Sequence, residues 1–201
     1  MICFIIPSIG RSTLKHSLNS LLNQTNTNWS CLVGFDGKSE SDIDTTILVS
    51  DDRIKYLYFS DKLGNSGHHG NAGLVRNSIL KEVKDSEWVG FLDDDDTLSQ
   101  FYVEILNLEL NTNNFDCCVF RMRYDSNDDK VIPPFNMNHI QQNFVGISFC
   151  VKKSFIDKHQ IKFINSNSED FDFLSKISAC GGKIHLSSHI TYNVNGHQYY
   201  G

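Results

Sequence analysis

Four consecutive aspartates, Asp93 to Asp96, follow the apolar run Trp88-Val89-Gly90-Phe91-Leu92. Carboxylates held this close repel one another unless a cation or solvent relieves them. An apolar run of this length reads as a buried strand. Buried strands of α/β proteins end at the sheet edge where ligands bind. The chemistry this points to is a divalent-cation site for a phosphate-bearing substrate. A carboxylate pair with open positions suits Mg²⁺ or Mn²⁺, which take hard oxygen ligands and leave room for diphosphate oxygens. In strand geometry residues i and i+2 face the same way. Asp93 then pairs with Asp95, and Asp94 with Asp96; spacing alone does not choose between the pairs. The plain alternative is a solvated acidic turn, with Asp96 capping a following helix.

The elements around the aspartates decide whether such a site can assemble. Ile2 to Ile6, Trp29 to Phe35 and Ile54 to Phe59 read as further strands. A helix capped by Ser12 or Thr13 carries Leu14, Leu18, Leu21 and Leu22 on one face. A second, with Ala72, Val75, Ile79 and Val83, follows the glycine-rich segment Gly64 to Gly73, and a third spans Phe101 to Leu110. A short helix is expected near Ile43 to Val49. Strand–helix alternation with near-continuous apolar strands means an α/β fold: a mostly parallel central sheet with helices on both faces. Parallel strands end on one edge, so Pro7-Ser8, Asp36-Gly37 and the aspartates converge on one cleft.

The second half reads differently. Strands are expected at Cys117 to Tyr124 and Phe144 to Val151, with a polar loop, Asp125 to His139, between them. A helix bearing Phe171, Leu174 and Ile177 follows, then short closing strands at Lys183 to Leu186 and Ile190 to Val194. No linker separates the halves. The expectation is one domain over 1–201, with halves at 1–110 and 111–201.

Bulk composition excludes several partners. The chain has 201 residues and a formal net charge of -6. Nucleic acid and anionic lipid both need a basic surface. No apolar run approaches the ~20 residues of a membrane span. The six cysteines include no C-x-x-C pair, so a zinc site is not indicated, and a reduced, cytoplasmic protein is expected.

With these residues in place, the chain resembles a family 2 glycosyltransferase of the GT-A (Rossmann-like) fold. The resemblance runs through Phe4-Ile5-Ile6-Pro7-Ser8-Ile9-Gly10-Arg11, Ser20 to Thr25 and Leu32-Val33-Gly34-Phe35-Asp36-Gly37. It continues through Gly73-Leu74-Val75-Arg76-Asn77, Phe91 to Asp96 and Ser168-Glu169-Asp170-Phe171-Asp172. It implies an inverting enzyme that moves sugar from a nucleoside-diphosphate sugar, favouring UDP, to a glycan or other hydroxyl acceptor. Pro7, Ser8 and Asp36 match positions that hold the nucleotide base, and Arg76 a basic residue near the nucleotide or its diphosphate. The D-x-D pattern falls on Asp93 and Asp95, the first on ribose or metal-bound water and the second on Mn²⁺ or Mg²⁺, with Asp94 in the same nucleotide-sugar site. Asp170 matches the general base, and His197 a late metal ligand for which His185 and His189 compete. One departure is Ser8-Ile9-Gly10, where the family usually has a small polar pair and an aromatic or Asn.

Other readings stand beside these. Ser166 to Glu169 has the form of a capping box, so Glu169 and Asp170 could merely start a helix. His68 and His69 fit solvated loop positions as well as substrate contacts, and Arg76 fits a surface ion pair. Gly10-Arg11-Ser12-Thr13-Leu14-Lys15 faintly resembles a sugar-phosphate nucleotidyltransferase loop. A non-catalytic nucleotide-sugar or glycan-binding module is the third reading.

Overall fold

The structure is a computed structural model, and it describes residues 1–64, 72–125 and 130–194. His68, His69 and His197 lie outside the described residues. Among the described residues nine strands form one sheet: β1 Ile2–Ser8, β2 Trp29–Asp36, β3 Ile54–Phe59, β4 Trp88–Phe91, β5 Thr97–Leu98, β6 Cys117–Tyr124, β7 Val131–Ile132, β8 Phe149–Lys152 and β9 Ile184–Val194. Their order is β3-β2-β1-β4-β8-β6-β9-β5, with β7 paired to β6. The helices are α1 Leu14–Leu22, α2 Ala72–Leu80, α3 Tyr102–Thr112, α4 Lys153–His159 and α5 Glu169–Ala179.

β1 to β4 are parallel, while β8 runs against both β4 and β6, so β6 returns to the direction of β1. β9 is parallel to β6. The strands β1, β2, β3, β4, β6 and β9 thus end on the same edge, and only the short β5, β7 and β8 oppose them. Every residue of β1 and of β4 is buried. Because successive side chains alternate faces, both faces of the sheet centre are covered. The core there includes Phe4, Phe35, Phe91, Phe149, Phe173, Trp29 and Trp88. Five of the six free thiols are buried in strands, and Cys180 is exposed.

Several details differ from the sequence reading. The helix expected near Ile43 to Val49 is two 3₁₀ turns, Glu40–Asp42 and Thr45–Ile47. The strand expected from Phe144 is only Phe149–Lys152. The two closing strands are one, β9, with register shifts opposite β6 between Val119 and Met122. β5 and α4 were not anticipated. Asp96 caps no helix, because β5 follows it and α3 begins only at Tyr102.

Candidate active site

The aspartates leave β4 at the shared edge and turn back at once, with the Asp96 N–H donating to the Asp93 carbonyl at 3.2 Å. Buried polar groups fix this turn from two sides. On one side Ser17 Oγ donates to the Asp93 carbonyl at 3.2 Å, and Ser20 Oγ accepts from the Leu98 N–H at 3.1 Å. Gln24 donates to the Ser99 carbonyl and accepts from the Val103 N–H. On the other side the Tyr192 hydroxyl accepts from the Asp93 N–H at 3.1 Å and lies beside Asp96. Interior polar groups are costly unless bonded. These therefore hold the turn in one conformation.

Each aspartate then has its own environment. Asp94 is buried; its Oδ2 accepts from Ser8 Oγ at 2.6 Å and its Oδ1 from Arg11 at 3.0 Å. Burial pushes its carboxyl up to about 6, against the pull of Ser8 and Arg11. Asp95 also takes the Arg11 Nη1, at 3.1 Å, and its side chain is 19% exposed. Asp93 is 33% exposed and bonds the guanidinium of Arg76. Asp96 is buried.

Arg76 joins this turn to the far end of the chain. Only 3% of its side chain is exposed. Nη2 bonds Asp93, Nη1 donates to Glu169 Oε1 at 2.7 Å, and Asp170 Oδ1 stands 4.0 Å from the same nitrogen. Burial alone would lower Arg76, but Asp93, Asp170 and Glu169 outweigh it and hold the guanidinium charged. The other Glu169 oxygen accepts from the Gly73 N–H at 3.1 Å, where the positive end of α2 favours a carboxylate. Glu169 is thus committed on both oxygens. Asp170 is not: its Oδ1 is buried without a hydrogen-bond partner, while 26% of the side chain remains exposed. Burial, then Asp93 and Glu169, push Asp170 up to about 7 against Arg76.

The structure therefore brings Ser8, Arg76, Asp93, Asp94, Asp95 and Asp170 together. The capping-box reading of Ser166 to Glu169 does not hold. Ser168 is the N-cap residue of α5, Ser166 Oγ bonds Asp172, and Glu169 reaches across to α2. Arg76 is no surface ion-pair residue. Pro7 is buried in β1. Asp36 ends β2, and its oxygens accept from the Leu63 and Gly64 N–H groups at 2.6 and 3.1 Å. His185 is bonded to Glu109 at 2.9 Å, near the start of β9 and so towards the opposite edge. Sequence reasoning did not single out Arg11, Ser17, Gln24 or Tyr192. Their partners lie 75 to 99 residues away, and no local pattern announces such pairings.

A family model for glycosyl transferase family 2 matches residues 3–166. The chain belongs to that family. A curated relative, the UDP-Glc:alpha-D-GlcNAc-diphosphoundecaprenol beta-1,3-glucosyltransferase WfgD of Escherichia coli, is 35% identical over 97 residues, covering 48% of this chain and 35% of that one. Among solved structures, S. aureus TarS superposes with a TM-score of 0.72 at 17% identity, covering 96% of this chain and 60% of that one. Its complex with UDP-GlcNAc gives 0.71 at 17% identity, covering 96% and 57%. At that identity TarS shows the shared GT-A fold. The chain spans about a third of the length of the curated relative.

Asp93 and Asp95 are the carboxylates that could hold a metal, since both are partly open and offer hard oxygens. Among the described residues no group of three or more His, Cys, Asp or Glu side chains could enclose an ion. That donor set suits an ion bound by one or two carboxylates and completed by water and substrate phosphates, the usual habit of Mg²⁺.

Proposed function

We propose that the chain is the catalytic domain of a metal-dependent, inverting glycosyltransferase that moves a sugar from a UDP-sugar to an acceptor hydroxyl in glycan synthesis. The observation that carries this reading is the Arg76 bridge. It sets the partly open Asp93, two residues from Asp95, beside Asp170, whose buried Oδ1 has no hydrogen bond, at the ligand edge of the sheet. Membership of the family and the UDP-sugars named for WfgD and for the TarS complex support the donor class.

Each residue has work to do in this scheme. Asp36 and the end of β1 at Pro7 and Ser8 border the pocket for the nucleotide base, with Ser8 also bracing Asp94. Asp93 and Asp95 would hold Mn²⁺ or Mg²⁺, a Lewis acid that, when bound, offsets charge developing on the departing diphosphate. Asp170 accepts the proton of the acceptor hydroxyl. Direct displacement at the anomeric carbon, with no covalent intermediate, inverts its configuration. Arg76 is too enclosed to grip the diphosphate and instead positions Asp93 against Asp170. Among the described residues no helix is long and apolar enough to cross a membrane.

The test is a panel of UDP-, GDP- and dTDP-sugars with Mn²⁺ or Mg²⁺ and a set of glycan acceptors, followed by release of nucleoside diphosphate. Metal-dependent UDP release that needs acceptor is the expected result. Tight donor binding with no turnover would instead make the chain a binding module.

A further inference from the structure

The two arginines at the acidic turn differ in one respect that matters. Arg76 is enclosed, with 3% of its side chain exposed, whereas Arg11 is 39% exposed. Arg11 stands between β1 and α1, just after Gly10, whose φ of +86° lets the chain turn sharply there. A single nitrogen, Nη1, bonds both Asp94 and Asp95. Asp95 is the carboxylate that the proposed metal requires. A guanidinium on Asp95 Oδ2 repels a divalent cation on the same carboxylate and so competes with it.

We propose that Arg11 is an exchangeable counter-ion: it holds Asp95 in the donor-free protein and passes to the donor's diphosphate when metal and donor arrive. This rests on the metal-dependent reading above. Three observations support the exchange. Arg11 is exposed enough to move, and Arg76 is not. Asp94 keeps its Ser8 hydrogen bond if Arg11 leaves, so departure does not strip the buried carboxylate of every partner. A diphosphate is also a natural destination, because guanidinium binds phosphate oxygens with charge-assisted, often paired hydrogen bonds. The protein then binds metal poorly alone and well with nucleotide, a positive coupling between the two ligands.

Titration with Mn²⁺ alone, read from the electron paramagnetic resonance signal of the free ion, tests this. Arg11→Gln removes the competing cation and should tighten Mn²⁺ binding about tenfold, within the range usual for coupled sites. The same variant should bind UDP, at saturating Mn²⁺, about tenfold more weakly by calorimetry. Arg11→Lys, which keeps the charge, should stay closer to wild type on both axes. Mn²⁺ affinity unchanged or weakened in Arg11→Gln overturns the proposal, and unchanged UDP affinity overturns the transfer to diphosphate. Should that variant not fold, wild-type protein serves: UDP must raise Mn²⁺ affinity about tenfold or more, and no coupling overturns the idea. None of these readings needs turnover. A protein that shows the exchange but releases no UDP from any donor defeats the proposed activity alone, and turnover without coupling defeats the exchange alone.

Discussion

To serve as the proposed base Asp170 must be ionised, and its buried setting pushes its carboxyl up to about 7. The kcat/KM of the transferase, which follows the free enzyme, should therefore rise with pH through about 7 and level off above it. Asp170→Asn should keep donor binding, measured by calorimetry, and lose that limb together with transfer. Full activity in the variant would remove Asp170 from the role of base. Arg76 makes a different prediction. Removing one partner of a buried ion pair leaves uncompensated charge and costs about 3–5 kcal/mol. Arg76→Ala leaves Asp93, Glu169 and Asp170 facing one another, so its urea midpoint should fall accordingly. A surface arginine would lose less than about 1 kcal/mol.

Among the elements, the contact of α2 with α5 decides how closely the aspartate turn and Asp170 approach. Gly73 sits at that contact, and a Cβ there would lie 2.5 Å from Glu169 Oε2 and 2.6 Å from Phe163 Cβ. Gly73→Ala should cost about 1–3 kcal/mol, as overpacking does, and should reduce transfer more than donor binding. The strands that carry this arrangement were plain in the sequence. Ile2–Ser8, Trp29–Asp36 and Trp88–Phe91 are apolar runs stopped by polar residues, because the centre of the parallel sheet is buried on both faces, while the edge strand Ile54–Phe59 is only partly buried. The second half was less legible for physical reasons. Two-residue strands such as Thr97–Leu98 have no period to detect. α4 buries only Ile156, so it shows no apolar stripe. Ser187 and Ser188 read as a break, although β9 continues through them opposite irregular register in β6. The carboxylates of the site were legible as types and positions. Arg76 was legible as a site residue but its carboxylate partners were not, and Arg11 was not singled out, because which carboxylate each arginine meets is set by strand order, not by spacing.

At the scale of the molecule, the site is a store of unfavourable charge. Asp94 and Asp170 are raised to about 6 and about 7 from an ordinary value of 3.8. An acid raised in the folded state binds its proton more tightly there than in the unfolded chain, so folding is favoured at low pH and loses that support as pH climbs. The contribution of these two groups should be fully present below about pH 4 and lost as pH rises through 6 to 7. Asp94→Asn with Asp170→Asn should flatten the melting temperature between pH 4 and 7, measured by calorimetric scans. An unchanged slope would assign the pH dependence to other groups.

The uneven burial of the thiols has a practical consequence for watching this protein at work. Cys180 is exposed at the C-terminal cap of α5, and Cys3, Cys31, Cys117, Cys118 and Cys150 are enclosed. A maleimide or Ellman's reagent should modify one thiol in the native protein and all six after denaturation. The modified sulfur sits at the far end of the helix that begins with Glu169 and Asp170, about 16 Å away at 1.5 Å per residue. A fluorophore placed there needs no engineered cysteine. It would report displacement of α5 as nucleotide binds, from outside the cleft itself.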